Sequence, residues 1–316
     1  MTHHDAIVCG GGPAGVTAAL WLGRYRRATL VVDSGQQRNR WASASHGYLG
    51  RDGASPHEIL EAGLRDIARY NTVQRVDGTV NSIERTGGSF TLQIGSETHS
   101  SDRLLLATGV EDVFPDVPGF EQLYGKSIHH CSCCDGYEAR DQDVIAIGWG
   151  EHVAGYALDL LNWGARVTLV TNGRPFQGDD ACHSALGRND VEVLEEEVVE
   201  LLAEDGGMKG ARLASGRVID GTKAFFSIEH RPRTDIAVAL GCKLDDDGYI
   251  AVGPHGETSV DNVYAAGDVT PGEQLIQTAA AKGAVAGIAC AMSIRGAATR
   301  SPSPDPGPDP KAELAP

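Results

Sequence analysis

The sequence predicts an α/β protein made of two Rossmann-like, three-layer domains. Three observations predict it. A strand, a glycine-rich turn, a helix and a second strand follow one another over residues 5–33. The same order returns over 143–170, ~135 residues later, and a whole repeated unit arises by chance far less readily than a short glycine pattern. A C-x-x-C pair stands just ahead of the second unit.

In the first unit, 5–10 reads as a short buried strand and 28–33 as its partner, with Val16, Ala19, Leu20 and Leu22 at helical spacing between them. In the second unit the strands are 144–148 and 165–170 and the helix is 153–163. Between the units, 76–83, 89–94 and 104–109 read as strands. Beyond them, 191–202, 209–213, 217–219, 224–229, 249–252 and 263–268 do the same. An Ala-rich helix is predicted over 278–294, and apolar residues on more than one of its sides predict burial. From Gly296 the chain is Ala, Ser, Pro and Asp, the composition of a disordered tail.

The chain has 316 residues, 41% hydrophobic and 22% charged, enough apolar material for two cores. Its net charge of −16 argues against a nucleic-acid or anionic-membrane binder, since both need a basic face. No apolar run reaches the ~18 residues of a membrane helix, and 6–9 is too short for a secretory signal. A cytoplasmic protein is expected. The seven cysteines are an odd number for a secreted disulfide framework, and three of them crowd into 131–134.

Gly10-Gly11-Gly12-Pro13-Ala14-Gly15 is G-x-G-x-x-G after a strand and at the start of a helix, the context a dinucleotide fingerprint needs. Gly10 permits the tight turn, Gly12 lets a pyrophosphate approach the backbone, and Gly15 lets the helix pack on the strand. The helix N-terminus adds free N–H groups. Asp33 ends the second strand, placed for ribose hydroxyls. Asp268, at a strand end before a loop and helix, is placed for a ribityl hydroxyl. Gln277, at that helix start, is placed for the pyrimidine edge of a flavin.

His130-Cys131-Ser132-Cys133-Cys134-Asp135-Gly136 carries the dithiol. The Cys131/Cys134 spacing can close a reversible disulfide at the start of a helical turn, where a thiolate is favoured. His130 and Asp135 stand beside it as proton carriers. Zinc needs four ligands, and no second C-x-x-C or spaced His pair exists, so redox chemistry is expected and a metal is not. Cys133 is expected to be a small buried residue between the pair, and Cys9, Cys182, Cys242 and Cys290 to be packing residues.

These motifs, in this order, resemble the low-molecular-weight thioredoxin reductases and their relatives among the FAD-dependent pyridine nucleotide-disulfide oxidoreductases. The resemblance spans 5–295. It is carried by the fingerprint, Ala107-Thr108-Gly109, Cys134-Asp135-Gly136, the second βαβ unit and Ala265-Ala266-Gly267-Asp268. It implies a discontinuous FAD domain, 1–116 and 234–297, and an inserted NAD(P)H-type domain, 117–233, that carries the dithiol. The tail is 298–316. It also implies a homodimer, with domain crossings at 115–119 and 228–233. Residue by residue, it makes Cys131 and Cys134 the redox pair and Asp135 the proton donor. Gly10, Gly12, Gly15, Asp33, Thr108, Gly109 and Asp268 would line FAD, with Pro13 and Ala14 inside the fingerprint.

The second loop departs from that family. The reductases carry G-x-G-x-x-A there and a His-Arg-Arg run that grips the NADPH 2′-phosphate. Here the loop is Gly148-Trp149-Gly150-Glu151-His152-Val153, and Thr171-Asn172-Gly173-Arg174 leaves one arginine. Gly148, Gly150 and Arg174 are the residues expected to hold NADPH, and the departures put that cofactor in question. They also resemble a branch of dithiol oxidases, which close disulfides in small sulfur-containing metabolites such as gliotoxin and holomycin with FAD and oxygen. That branch reads Cys-Pro-x-Cys-His-Gly, where Ser132 and Asp135 stand here. The segment from Arg38-Asn39 through His46-Gly47 to Gly53 resembles the same broader branch and places Asn39 and His46 near flavin. Three readings follow. One is a reductase, from NADPH through FAD and Cys131/Cys134 to a thioredoxin-like protein or small-molecule disulfide. Another is an oxidase that takes a small dithiol's electrons to oxygen. The last is a non-catalytic flavin redox sensor.

Overall fold

The computed structural model describes residues 1–294, and the predicted tail at 298–316 lies outside the described residues. The chain forms two compact units. One holds Met1–Arg40, His57–Glu111 and the chain from Arg231 onward, and the other holds Trp41–Pro56 and Asp112–His230. The chain therefore crosses at 40/41, 56/57, 111/112 and 230/231.

The first unit opens with strand β1 (Thr2–Cys9), helix α1 (Pro13–Arg24) and strand β2 (Thr29–Asp33). Helix α2 (Pro56–Ile67) leads to β3 (Val73–Asp77), β4 (Val80–Thr86), β5 (Ser89–Ile94) and β6 (Glu97–Leu106). The sheet order is β3-β2-β1-β6-β5-β4. The β1, β2, β3 and β6 pairings are parallel, with Cys9 opposite Val32 on one side and Leu106 on the other. Ala6, Ile7 and Val8 are fully buried because helices and loops cover both faces, which is why β1 reads as an unbroken apolar run. The predicted strand 76–83 is two strands, β3 and β4, separated by a turn at Gly78. Helix α2 has no counterpart in the sequence reading. Its signals are Pro56 at the first turn and Leu60, Leu64 and Ile67 at helical spacing on the core.

Buried in this unit, His4 Nε2 stands 3.2 Å from His99 Nδ1. Burial first, then His99 and His3, hold the His4 imidazole down to about 4, against a weaker opposite pull from Asp5. The unfolded chain binds this proton near pH 6.5 and the folded chain only near 4. Stability is therefore complete above 6.5 and falls as pH drops through that window, by on the order of 2 kcal/mol. Thermal unfolding of the protein and of His4→Gln between pH 7 and 4 checks this. The variant's curve should be flatter across the window.

After strand β7 (Val110–Val113), the second unit builds α3 (Phe120–Leu123), β8 (Ile128–His129), α4 (Ser132–Asp135), β9 (Asp143–Ile147), α5 (Val153–Leu160) and β10 (Arg166–Val170). Then come α6 (Asp180–Arg188), β11 (Glu192–Leu194), β12 (Val198–Glu204), β13 (Gly207–Leu213), β14 (Val218–Asp220), β15 (Lys223–Phe226) and β16 (Glu229–Pro232). A parallel sheet runs β11-β10-β9-β15-β8, beside an antiparallel sheet β12-β13-β14. Phe120 meets Phe226 edge-on at 4.9 Å in its core. The predicted strand 191–202 is the pair β11 and β12.

Back in the first unit, α7 (Asp235–Ala239) and β17 (Val263–Ala265) precede α8 (Ile276–Ser293). β17 pairs with the second half of β6. The predicted strand 249–252 makes one bridge among the described residues, Leu244 to Ile250. The predicted all-round burial of α8 is corrected to one stripe of small residues, Ala279, Gly283, Ala286, Gly287, Cys290 and Ala291, while Val285 and Met292 are exposed. Small residues there let α8 lie against the backbone of α1: Cβ atoms built at Gly283 and Gly287 would meet Ala14 and Ala18.

Candidate active site

The first glycine loop joins β1 to α1. Gly10 has φ 111°, and a Cβ there would stand 2.1 Å from the Ala107 carbonyl oxygen. A Cβ on Gly15 would stand 1.8 Å from the Gly10 oxygen. Neither position admits a side chain. A Cβ on Gly12 meets nothing within 4 Å. Gly12 also caps α1 with no side-chain hydrogen bond, ahead of Pro13 and Ala14. Open space over uncapped N–H groups is what a pyrophosphate needs, so these residues fit a dinucleotide.

Asp33 is buried at the end of β2. Its carboxylate accepts from the N–H groups of Gly11 (3.3 Å) and Gly35 (3.1 Å), from Gln37 Nε2 (3.1 Å) and from Arg75 (3.0 Å). The sequence reading offered Asp33 to a ribose but missed Arg75, which also pairs with Asp77 at 2.8 Å. Thr108 donates to the Arg233 carbonyl at 2.6 Å, and the Gly109 carbonyl accepts from the Arg233 N–H at 2.9 Å. Gly267 has φ 82° and lies against Ala14, which sets the half-buried Asp268 in the same unit as the loop. Lys282 donates to the Pro271 carbonyl at 2.8 Å. Burial lowers its ammonium, while Asp268 and Glu273 pull it back up. Gln277 lies half-buried in the first turn of α8, and Asn39 in a 3-10 turn, Arg38–Trp41.

His46 is placed in the second unit. Its Nε2 is 3.6 Å from Glu138 Oε1 and its Nδ1 is 3.8 Å from Asp52.

The dithiol is also in the second unit. Cys131 and Cys134 form a disulfide across the single turn of α4, and the Cys134 N–H donates to Cys131 Sγ at 3.1 Å. That donor favours negative charge on Cys131 once the bond opens. Cys133 is a free, exposed thiol, which corrects the expectation that it is buried. On a one-turn helix the middle residue of C-x-x-C points away from the bridge. Gly136 is needed next, because a Cβ there would stand 2.5 Å from the Trp163 ring. Cys9 and Cys290 are fully buried, and burial pushes their thiols up to about 12, which leaves them inert at neutral pH.

The two histidines before the disulfide diverge. His130 Nδ1 is 2.7 Å from the Tyr124 hydroxyl, which donates to Asp112 at 3.2 Å. The Tyr156 hydroxyl donates to the His130 carbonyl at 3.1 Å, tying α5 to the dithiol segment. His129 takes the other side, with Nδ1 3.2 Å from Asp135 Oδ1. The sequence reading singled out His130 and passed over His129. Alternation along a strand was the signal, since neighbouring residues face opposite ways.

The second glycine loop joins β9 to α5. Gly150 has φ 95°, and a Cβ on Gly148 would stand 2.8 Å from Ser227 Cβ and 3.2 Å from Val153. His152 caps α5 and bonds Ser227 through Nε2 at 2.8 Å, so α5 also begins without a side-chain cap. Glu151 is exposed beside it. The Arg174 guanidinium lies over the Trp149 ring, 4.1 Å from its centroid, a cation–π contact between this loop and the turn after β10.

The model of the pyridine nucleotide-disulphide oxidoreductase family matches residues 4–283 of this chain. A thioredoxin reductase of Mycolicibacterium smegmatis is 30% identical over 304 residues, 93% of this chain and 96% of its own. Thioredoxin reductase tcpT of Claviceps purpurea is 33% identical over 282 residues, 84% of this chain and 86% of its own. Among solved structures, an oxidoreductase from Agrobacterium tumefaciens superposes with a TM-score of 0.85 at 35% identity, over 93% of this chain and 99% of its own.

Proposed function

The chain belongs to the pyridine nucleotide-disulphide oxidoreductase family, as a thioredoxin reductase-like, FAD-dependent disulfide oxidoreductase, and on that premise we propose that it is a reductase. It draws electrons from NADPH and delivers them through Cys131 and Cys134 to a disulfide of a thioredoxin-like protein or a small molecule. The observation that carries this reading is the Cys131–Cys134 disulfide on α4, with Asp135 completing the same turn.

We assign 1–116 and 234–297 to FAD and 117–233 to NADPH and the dithiol, in a cytoplasmic homodimer. FAD, when bound, supplies two-electron chemistry. Gly10, Gly12, Gly15, Asp33, Thr108, Gly109, Asp268, Gln277 and Asn39 are its proposed contacts. The α1 N–H groups face the phosphates, and Asp33, through Gly11, holds the loop in shape. Asp135 holds the proton that a cysteine sulfur takes up when the disulfide opens. Gly148, Gly150 and Arg174 are assigned to NADPH.

Two observations favour the oxidase reading. Arg174, the one arginine of the 171–174 segment, is stacked on Trp149, and Glu151 stands beside Gly150 where a phosphate would lie. Anaerobic addition of NADPH to the FAD-loaded protein separates the two. Rapid loss of the oxidised-flavin absorbance supports the reductase. Bleaching by a small dithiol but not by NADPH supports the oxidase. In the reductase, Arg174→Ala should raise the KM for NADPH about tenfold, the worth of one charge-assisted contact, and leave that for NADH nearly unchanged.

A further inference from the structure

His129 ends β8 opposite Phe225 of β15, 7% exposed, with the two rings 5.5 Å apart. Its Nδ1 is 3.2 Å from Asp135 Oδ1. Its Nε2 is buried and hydrogen-bonds to nothing among the described residues. This one-sided arrangement selects the tautomer. The Nδ1–H donates to the carboxylate, and Nε2 is left as a bare lone pair, which is easier to bury than an orphaned N–H. Asp135 in turn lies on the turn that the disulfide closes.

The other charged and titratable groups here come from α5, β15 and the turn after α4. Burial, then Asp135 and Asp159, raise the Tyr156 hydroxyl, so it stays neutral. Burial lowers the Lys223 ammonium, and Asp135 and Glu138 oppose that.

We infer that His129 is a positioning residue that holds Asp135 and shares its proton, so that the disulfide site keeps a transferable proton near neutral pH. This rests on Cys131 and Cys134 being the redox pair. A carboxyl alone is ionised at pH 7 and has no proton to give. A proton added to a carboxylate–imidazole pair belongs to the pair and not to either group alone. With a small external dithiol as reductant, one of its thiolates attacks the disulfide. A mixed disulfide forms, the Cys131–Cys134 bond breaks, and the released cysteine sulfur takes the pair's proton. The second external thiol then closes the external disulfide and releases the other cysteine. The external dithiol loses two electrons and two protons, and the two cysteines gain both.

The test is the rate of Cys131–Cys134 reduction by dithiothreitol from pH 5.5 to 9, read by acid quenching, maleimide trapping and mass. Each variant is expressed as a ratio to wild type, which removes the reagent's own titration. His129→Phe should be about tenfold slow at pH 6 and close to parity at pH 8.5. His129→Asn keeps a donor at the Nδ1 position but carries no proton. It should retain FAD and the fold and still show the pH 6 loss. A ratio independent of pH in both variants, or a wild-type profile in His129→Asn, overturns the inference and leaves the dithiol reading standing. A wild-type disulfide that dithiothreitol never reduces at any pH overturns both.

Discussion

Changing Cys131 or Cys134 to serine is expected to cut disulfide turnover by at least about 1,000-fold and to leave FAD bound. The exchange moves two electrons, and both sulfurs take part because the bond between them is what opens and closes. Serine at either position removes that bond entirely. FAD retention follows from placement. The fingerprint, Asp33 and Asp268 lie in the first unit and the two cysteines in the second. Cys133→Ser is expected to stay within about twofold of wild type, since its exposed thiol has no disulfide partner and its neighbour's sulfur is already engaged. Two assays keep the test independent of electron direction: NADPH-driven reduction of an aromatic disulfide and dithiothreitol-driven oxygen uptake. If Cys133→Ser is as inactive as the other two in the working assay, the pairing is wrong.

Legibility in the sequence followed the range of the interaction. The glycine fingerprint is local, and Gly10 and Gly15 are each required by a backbone oxygen nearby in space, so the pattern alone placed the turn and the start of α1. The disulfide is equally local, closing over three positions. Arg75 was not legible, because it meets Asp33 from β3, forty-two positions on, and only the parallel pairing of β2 with β3 brings them together. The Trp149–Arg174 stack joins the ends of β9 and β10 in the same way. His129 was within reach. Two adjacent histidines at a strand end cannot face the same side, and the one aimed inward meets Asp135. The Trp41–Pro56 segment has no periodicity that says which core it joins, and only its contacts place it with the second unit.

Gly283→Ala and Gly155→Ala are one chemical change with opposite expected signs. Gly155 lies inside α5, where an added Cβ meets nothing within 4 Å. The methyl only restricts the unfolded chain and favours the helix, a gain of ~0.5–1 kcal/mol. Gly283 lies inside α8, where the Cβ would stand 2.2 Å from the Ala14 carbonyl oxygen and 2.8 Å from its carbon. Those are backbone atoms and cannot rotate away, so α8 must part from α1. Overpacking of this kind costs roughly 1–3 kcal/mol, and each kcal/mol moves Tm by about 2–4 °C in a domain of this size. The loss should not stop at stability. Ala14 sits in the first turn of α1, two positions after Gly12, so the strain falls on the N–H groups that face the proposed pyrophosphate. FAD titrated into the apo protein should therefore bind at least about tenfold more weakly in Gly283→Ala, a coupling of ~1.4 kcal/mol. Gly155→Ala should bind FAD as wild type does, because its helix belongs to the second unit. A Gly283→Ala protein with unchanged Tm and unchanged FAD affinity would show that α8 yields without moving α1, and that the small-residue stripe does not set the shape of the glycine loop.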